Sequence, residues 1–451
     1  MPFPLGRPIL LMLVIAAATG TVIALRPTPP AAKLQLWIFS PEHEALYQPL
    51  IAEFQKRTGL SVDMQLVGSG ALDRRLQSDF MEGVHDSQTP DVVEIEIGSV
   101  GTFFRPPLTD IGFEPIEPYL RRSGLYDQIL PARLAPWTSR DVLFGVPHDV
   151  HPVALVYRHD LFQQAGIDLP AATTWPQFRE DCLRFQDYWR AHGFPTRHAV
   201  EMHRSKSDEL LMLLMQRGIN PIDDFNRVHL ADPHVAETIA FYARCVAGSR
   251  PIASESAGGE GPFAQDLQAG DLCVFFSADW RLRDLKKYGG DEMRGKLRLM
   301  PLPRFDPTDA PTATWGGTMI AILKTSPHKQ QAWELIQQLY FSPQAMQNSM
   351  ATSYILPPLP AAWNTAKDQP GDRYFAGQHV EQLLADLARQ IPRRYVTPAS
   401  AVAGVYLVQV LWRATDYVDA HGGDGLEAAC QGWLNEAAAD LQRRVAFMSF
   451  H

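Results

Sequence analysis

The sequence predicts an α/β protein with two lobes, each built on a mostly parallel β-sheet flanked by helices. Length is the first reason, because a chain of 451 residues is longer than one hydrophobic core usually organises. The second is an alternation of short apolar strands with amphipathic helices from Leu34 onwards, which is typical of parallel βαβ units. The composition is that of a globular protein, with 46% hydrophobic and 20% charged residues.

The first lobe begins with three strands that alternate with two helices. Residues 34–39 form an apolar run that predicts a strand. Leu46, Leu50 and Phe54 fall on one face of a helix predicted over residues 44–59. The pattern continues with a strand over residues 60–67, a helix over 71–81 and a strand over 91–97.

Polar side chains follow the carboxyl ends of these strands, which is the edge of a parallel sheet where ligands bind. Four of them are predicted to line a ligand cleft: Ser40, Glu42, Ser69 and Glu96. Both glutamates are equally compatible with solvated loop positions. Glu94 and Glu96 would point to one face of their strand, and two carboxylates there could select a cationic ligand instead.

The remaining elements complete the first lobe and build the second. An extended segment over residues 144–157 contains Pro147 and Pro152, which suit a chain that crosses between lobes. Further crossings are expected near residues 298–305 and near residue 355. We therefore assign residues 34–147 and 304–355 to the first lobe, and residues 148–303 and 356–451 to the second.

Charge and motif content argue against several functions. The net charge is −9, so the chain lacks the basic surface of a nucleic-acid-binding protein. The sequence contains no hydrolase elbow, zinc-protease helix or phosphate loop, so we predict neither an enzyme nor a cofactor. His148, Asp149 and His151 resemble a metal-binding set, but on an extended segment the two histidines would point to opposite faces.

The four cysteines are far apart and form no CxxC pair, so neither a zinc site nor a redox site is predicted. We expect Cys182, Cys245, Cys273 and Cys430 to be buried free thiols, although an exported protein could also hold one disulfide.

The N-terminus indicates the compartment. Arg7 precedes an uncharged, mostly apolar run over residues 9–25, and a Pro-rich linker follows to residue 33. This order is typical of a signal peptide, and the run is also just long enough for a membrane anchor. Either alternative places the rest of the chain in the periplasm or at the cell surface. No cysteine follows the apolar run, so a lipoprotein anchor is not expected.

Several stretches match one family of proteins in the correct order. The most specific are Phe144–Pro147, Ala154–Phe162, Ala165–Ile167 and Thr173–Phe178. Weaker matches follow in Phe263–Trp280, Trp315–Gly317 and Pro343–Tyr354. The chain thus resembles the family 1 extracellular solute-binding proteins, the maltose-binding-protein-like components of ABC importers, from Leu34 to about Trp363. It departs from their pattern where Arg158 and His159 replace Asn and Lys.

This resemblance implies the type II periplasmic binding protein fold, with a ligand cleft between two lobes that close on a hinge. It implies a monomer that captures a small solute, such as a mono- or oligosaccharide, and passes it to membrane permease subunits without a cofactor. At the lobe junction it implies that Asp149 and His151 contact the ligand. It also places an aromatic platform at Trp280.

Sugar chemistry adds further candidates, because a sugar site combines aromatic faces with planar polar groups. Trp315 precedes a strand and could reach the cleft, while Gly316 would let the backbone approach a ligand closely. The family match adds Tyr354. Three alternatives stay open: the same fold binding a polyamine, metal complex or other small ion; a membrane-tethered sensor; and a secreted hydrolase.

Overall fold

The computed structural model describes residues 34–83, 85–86, 88–255, 260–368 and 370–449, with Gly6, residues 12–17 and Thr19 of the N-terminal segment. Most of the predicted export segment and its linker therefore lie outside the described residues, and cleavage or anchoring there stays a prediction. Within the described part, none of the helices has the length and apolar character needed to cross a membrane.

Across these described ranges, twelve strands are arranged in two five-stranded sheets and one short hairpin. In chain order they are β1 (Leu34–Ile38), β2 (Val62–Leu66), β3 (Val92–Glu96), β4 (Thr138–Ser139), β5 (Val142–Leu143), β6 (Val146–Pro147), β7 (Val153–Arg158), β8 (Val200–Glu201), β9 (Ala253–Ser254), β10 (Val274–Ala278), β11 (Leu297–Met300) and β12 (Thr318–Ile322).

The first sheet has the order β2-β1-β3-β12-β6 and belongs to the first lobe. Strand β1 pairs in parallel with β2 and β3, whereas β12 is antiparallel to both of its neighbours. The α-helices between Leu34 and Pro147 and after β12 are Pro41–Thr58, Ser69–Glu82, Ile97–Phe103, Glu117–Arg122, Pro131–Leu134, Lys329–Ile336 and Pro343–Ser353.

The second sheet has the order β11-β7-β10-β8-β9, and β7 runs antiparallel to its two neighbours. The α-helices between β7 and β11 are His159–Gln164, Trp175–Ala191, Asp208–Gln216, Pro233–Val246, Glu260–Ala269 and Asp279–Gly289. The C-terminal region adds helices Val380–Ala388, Ser400–His421 and Leu426–Ser449. The predicted two-lobe α/β fold with sheets between helices is confirmed, but the sheets are mixed rather than mostly parallel, because each has two parallel and two antiparallel pairings.

Separate cores support the two lobes. One hydrophobic cluster surrounds the first sheet, and two others cover the opposite faces of the second sheet. The chain crosses from β6 to β7 at residues 148–152 and returns between β11 and β12. In this return, Arg304 still hydrogen-bonds to Thr173 of the second lobe. The lobe boundaries proposed from the sequence stay a prediction.

Local chemistry explains where two helices begin. The first helix starts at Pro41, three residues before the predicted position, because the side chain of Ser40 accepts a hydrogen bond from the His43 backbone and proline suits the first turn. Thr174 caps helix Trp175–Ala191 with a reciprocal Gln177 contact, as its sequence predicts. The four cysteines are buried and free, which confirms that expectation.

Candidate ligand-binding site

Three chain segments meet side by side where the lobes join. The central segment is residues 148–152, between β6 and β7. Three backbone hydrogen bonds tie it to its two neighbours: His148 N to Thr318 O (2.9 Å), Val150 N to Leu356 O (3.0 Å) and Trp315 N to His151 O (3.3 Å). These three segments therefore form a narrow hydrogen-bonded ribbon at the junction.

Asp149 is the centre of a buried ion-pair network in this ribbon. Arg133 donates to Asp149 Oδ1 (2.8 Å) and to the Asp149 carbonyl (2.8 Å), while the backbone N–H of Thr318 donates to Oδ2 (3.1 Å). Burial alone would raise the pKa of Asp149, but His151, His148 and Arg133 hold it well below its ordinary value. Both carboxylate oxygens are occupied by protein donors, so Asp149 orders the junction.

His151 bridges two carboxylates with its two ring nitrogens. Nδ1 lies 2.5 Å from Asp279 Oδ1, and Nε2 lies 3.0 Å from Asp149 Oδ2. Burial would lower the pKa of His151, but these two carboxylates raise it to about 9. The ring is therefore protonated at neutral pH and couples the central ribbon to helix Asp279–Gly289, which carries Trp280.

A second buried network surrounds Glu94 in the first lobe. Its carboxylate accepts hydrogen bonds from Tyr47 (2.6 Å) and Tyr340 (2.9 Å), and lies 2.8 Å from His43 Nδ1. Burial would raise the pKa of Glu94, but the charge of His43 lowers it. The ring of His148 packs 4.4 Å from that of His43. Glu94 is satisfied inside the lobe and does not share a ligand-facing site with Glu96, which is exposed at the end of β3.

Gly316 lies against His151 and separates it from Trp280, which contacts a second tryptophan, Trp315. The Trp280 and Trp315 rings lie 5.3 Å apart in an edge arrangement, and Trp280 Nε1 donates to the Trp315 carbonyl (3.2 Å). Gly316 has φ 85°, and a Cβ there would lie 3.4 Å from Trp280 Nε1. At Gly317 a Cβ would lie 2.4 Å from the buried Arg133 guanidinium, so this position requires glycine.

The other predicted residues lie on both sides of this cluster. Glu42 is exposed and lies 3.4 Å from Arg283, an ion pair that joins the first lobe to helix Asp279–Gly289. Ser40 donates to Glu42 (2.9 Å). Tyr354 donates to Asp372, and the Lys286 ammonium lies 4.6 Å from its ring.

A cavity of about 680 Å³ opens between the lobes, and neither Trp280 nor Trp315 lines it. Helix Ile97–Phe103 of the first lobe forms one wall, and residues 205–208 with helix Ser400–His421 of the second lobe form the others. Its charged lining residues are Arg105, Lys206, Asp208 and Arg394. The cavity is within the range of about 300–1,000 Å³ that small-molecule sites usually occupy.

Charges from both lobes meet beside this cavity. Loss of hydration raises the pKa of Glu96 on the first lobe and of Asp208 on the second, although both side chains reach solvent. Burial, with the charge of Arg133, lowers the pKa of Arg394 to about 10, against the opposing effect of Asp208 and Glu96. Arg394 makes no hydrogen bond to a described residue. A guanidinium flanked by two carboxylates can bind hydroxyl groups from several directions.

Five of the predicted site residues thus form one cluster at the junction, namely Asp149, His151, Trp280, Trp315 and Gly316. Ser40, Glu42 and Tyr354 lie apart from it, Ser69 begins helix Ser69–Glu82, and Glu96 directly precedes the cavity residue Ile97. Sequence reasoning missed Arg394, Asp208 and Trp412. The sequence gives little indication of these three residues, because its pattern predicts helices in these regions but does not show which helix face lines a cavity. Ligand contact by the predicted residues stays a prediction.

Comparison with known proteins identifies the family. The sequence profile described as bacterial extracellular solute-binding protein matches residues 49–371. The chain belongs to this family. The solute-binding protein is 20% identical over 377 residues to an arabinooligosaccharide-binding protein of Halalkalibacterium halodurans, which covers 80% of this chain and 79% of that protein. An arabinooligosaccharide-binding protein of Bacillus subtilis is 21% identical over 309 residues, covering 67% and 68% respectively.

Solved structures share the architecture of this solute-binding protein. The sugar-binding protein MalE of Xanthomonas citri superposes with a TM-score of 0.72 at 21% identity, covering 93% of this chain and 99% of that one. A binding protein of B. animalis subsp. lactis in complex with β-1,6-galactobiose gives a TM-score of 0.65 at 18% identity, covering 91% and 97%. These likenesses confirm the two-lobe periplasmic binding protein fold.

Proposed function

We propose that this solute-binding protein captures a saccharide between its lobes and presents it to the membrane permease of an ABC importer. The observation that carries the proposal is the interlobe cavity, which combines Arg394 and Asp208 with the aromatic side chain of Trp412. Planar polar groups suit sugar hydroxyls, and an aromatic face suits the apolar side of a sugar ring. The names of both sequence relatives, arabinooligosaccharide-binding proteins, support the same ligand class.

Hinge closure is the mechanism that this proposal requires. The narrow ribbon at residues 148–152 lets the lobes move as units around a ligand, and the closed form is the shape that a permease recognises. The ion pair between Glu42 and Arg283 is one contact that forms across the gap. We further propose that residues 9–25 export the protein and that it has no catalytic activity of its own.

A cationic solute is the second candidate, and Glu96 with Asp208 is the observation that favours it. These carboxylates approach the cavity from opposite lobes; burial raises the pKa of both, and the charge of Asp208 adds to the rise at Glu96. Arg394 lies between them and would repel a cation. Glu94, which would have completed a carboxylate pair, is bound by His43 and two tyrosines. A neutral saccharide fits this mixture of two carboxylates and one guanidinium better than a cation does.

A thermal-shift panel tests the ligand class. Arabino-, malto- and galacto-oligosaccharides are compared with polyamines and amino acids at millimolar concentration. At least one saccharide is expected to raise the melting temperature, because a ligand present at 100 times its Kd adds about 2.7 kcal/mol to the native state. Stabilisation by a polyamine alone would favour the cationic solute. Release of shorter products from an oligosaccharide would show an enzyme instead.

Trp280→Ala tests whether the saccharide also contacts the junction cluster, which does not line the cavity. If Trp280 is the aromatic platform that the family resemblance implies, its loss is expected to weaken saccharide binding about 30-fold, because removal of an aromatic anchor costs about 2 kcal/mol. Titration calorimetry measures the affinity, and thermal unfolding measures the stability. Trp280 is only partly buried, so the melting temperature of the Trp280→Ala variant without ligand should fall little. Trp363→Ala is the comparison, since Trp363 is buried in the second lobe and its loss should cost about 3–5 kcal/mol of stability. A larger loss of stability in Trp280→Ala than in Trp363→Ala would show that Trp280 is a core residue.

A further inference from the structure

One tryptophan of the chain is exposed. All ten tryptophans lie in the described part of the chain, and Trp412 is the one that is exposed, with 49% of its surface accessible to solvent. No described aromatic or cationic side chain packs on its ring. Exposure of so large an apolar surface needs a reason, because burying an aromatic ring is favourable.

Trp412 lies on a second apolar face of helix Ser400–His421. The inner face of this helix packs in the core through Leu407, Leu411 and Ala414. The outer face repeats at helical spacing through Ala401, Gly404, Val405, Val408, Gln409 and Trp412, and all six line the interlobe cavity. Val405 is 55% exposed. Core packing explains the inner face only, so the outer face serves the cavity.

The opposite walls leave room beside this face and supply polar groups. Gly98 and Gly101 of the first lobe line the cavity with no side chain, and a Cβ at Gly101 would lie 2.6 Å from the Thr397 carbonyl. Close packing of these backbones therefore holds the first lobe against the start of the helix. Lys206 and Ser207 provide donors from the second lobe, and a Cβ at Gly404 would lie 3.7 Å from Ser207 Oγ.

We propose that Trp412 is a distal stacking platform for an oligosaccharide of at least three sugar units. One end of the ligand lies at Arg394, Asp208 and Glu96, and the later units follow the outer face of the helix to Trp412. A sugar ring has an apolar face for the indole and edge hydroxyls for Gln409 and Lys206, which line the same cavity. This inference rests on the proposed saccharide-binding function.

The occupant is a saccharide chain rather than a protein surface. The face is recessed between two lobes and carries Arg394, Lys206 and Asp208 among its apolar residues. A protein segment packed there would leave those charges desolvated without matched partners, which is costly. A saccharide, by contrast, brings a hydroxyl group to nearly every polar atom that it covers.

The experiment measures affinity against ligand length. Titration calorimetry of the full-length protein uses linear arabino-oligosaccharides and malto-oligosaccharides of one to five units. The wild-type affinity is expected to rise up to at least three units. The Trp412→Ala variant should bind the longest ligands about tenfold more weakly and the monosaccharide less than twofold more weakly, since one aromatic platform contributes up to about 1.5 kcal/mol. Trp412→Phe should recover most of the loss.

Phe194→Ala is the matched control, because Phe194 is 48% exposed and is not among the residues that line the cavity. It should leave the affinity for every length unchanged. Wild-type affinity that does not rise beyond two units, or an equal loss at all lengths in Trp412→Ala, would overturn the distal platform while the saccharide function stands. If no saccharide binds the wild type, both proposals are wrong.

Discussion

Replacing Arg133 by methionine is expected to lower the free energy of unfolding by about 3–5 kcal/mol, because it leaves a buried carboxylate without its main counter-ion. Arg133 is fully buried and donates to the Asp149 carboxylate, to the Asp149 carbonyl and to Thr314 Oγ1. Its guanidinium also packs against Gly317. Methionine fills the space of the stem but satisfies none of these acceptors. Chemical denaturation measures the loss.

Arg121→Met is the control for this experiment. Arg121 pairs with Glu117 one helical turn away, and its side chain is 53% exposed. Solvent screens an exposed pair of this kind, so the control should be nearly as stable as the wild type. Equal stability losses in the two variants would show that Asp149 is held by His151 and the Thr318 backbone alone. The network at the junction would then not depend on Arg133.

The wild-type protein is expected to lose about 3 kcal/mol of stability between pH 6.5 and pH 9 through the deprotonation of His151. The pKa of His151 is raised from an ordinary 6.5 to about 9 by Asp149 and Asp279, which outweigh the effect of burial. A raised pKa means that the folded state holds the proton more tightly. The contribution of protonated His151 to the free energy of unfolding is therefore complete below pH 6.5 and disappears as the pH rises through 9. Urea unfolding at a series of pH values measures it.

His151→Gln should remove most of this alkaline slope, since glutamine keeps a hydrogen-bonding group without the charge. The pKa of His43 is also raised, by Glu94 against the effect of burial, so part of the slope will remain. His192→Gln is the control, because His192 is exposed at the end of helix Trp175–Ala191 and should leave the slope unchanged. An unaltered slope in His151→Gln would mean that the ring is neutral in the folded protein.

Much of the fold could be predicted from the sequence because strands and helix starts depend on residues that lie only a few positions apart. Apolar runs such as residues 34–39 and capping residues such as Thr174 determine strands and helix starts over a few positions. The predicted start of the first helix is three residues too late because Ser40 and Pro41 also suit the end of a strand, whereas the Ser40 side chain caps the helix. The helix Lys329–Ile336 is followed by a wider π-helical turn over Gln337–Phe341, which no periodicity in the sequence indicates.

The site was harder to predict because its contacts join distant parts of the chain. Asp149 and His151 were selected from a short motif, but their partners Arg133 and Asp279 are 16 and 128 residues away, respectively. Glu94 and Glu96 share a strand face, yet one is enclosed by His43 and Tyr47 while the other reaches solvent. Trp412 could not be distinguished from a core tryptophan, since apolar residues occur on both faces of its helix.

The ribbon at the lobe junction also determines how the molecule can deform. Its hydrogen bonds, such as His148 N to Thr318 O and Val150 N to Leu356 O, run across the ribbon and keep its three segments in register. A thin strip cross-linked in this way resists stretching and shear in its own plane, but bends easily about the line across its width. Bending is therefore a motion that the ribbon resists little, whereas sliding of one lobe over the other would break these hydrogen bonds. A ligand held between the lobes can close them by bending the ribbon without breaking its hydrogen bonds.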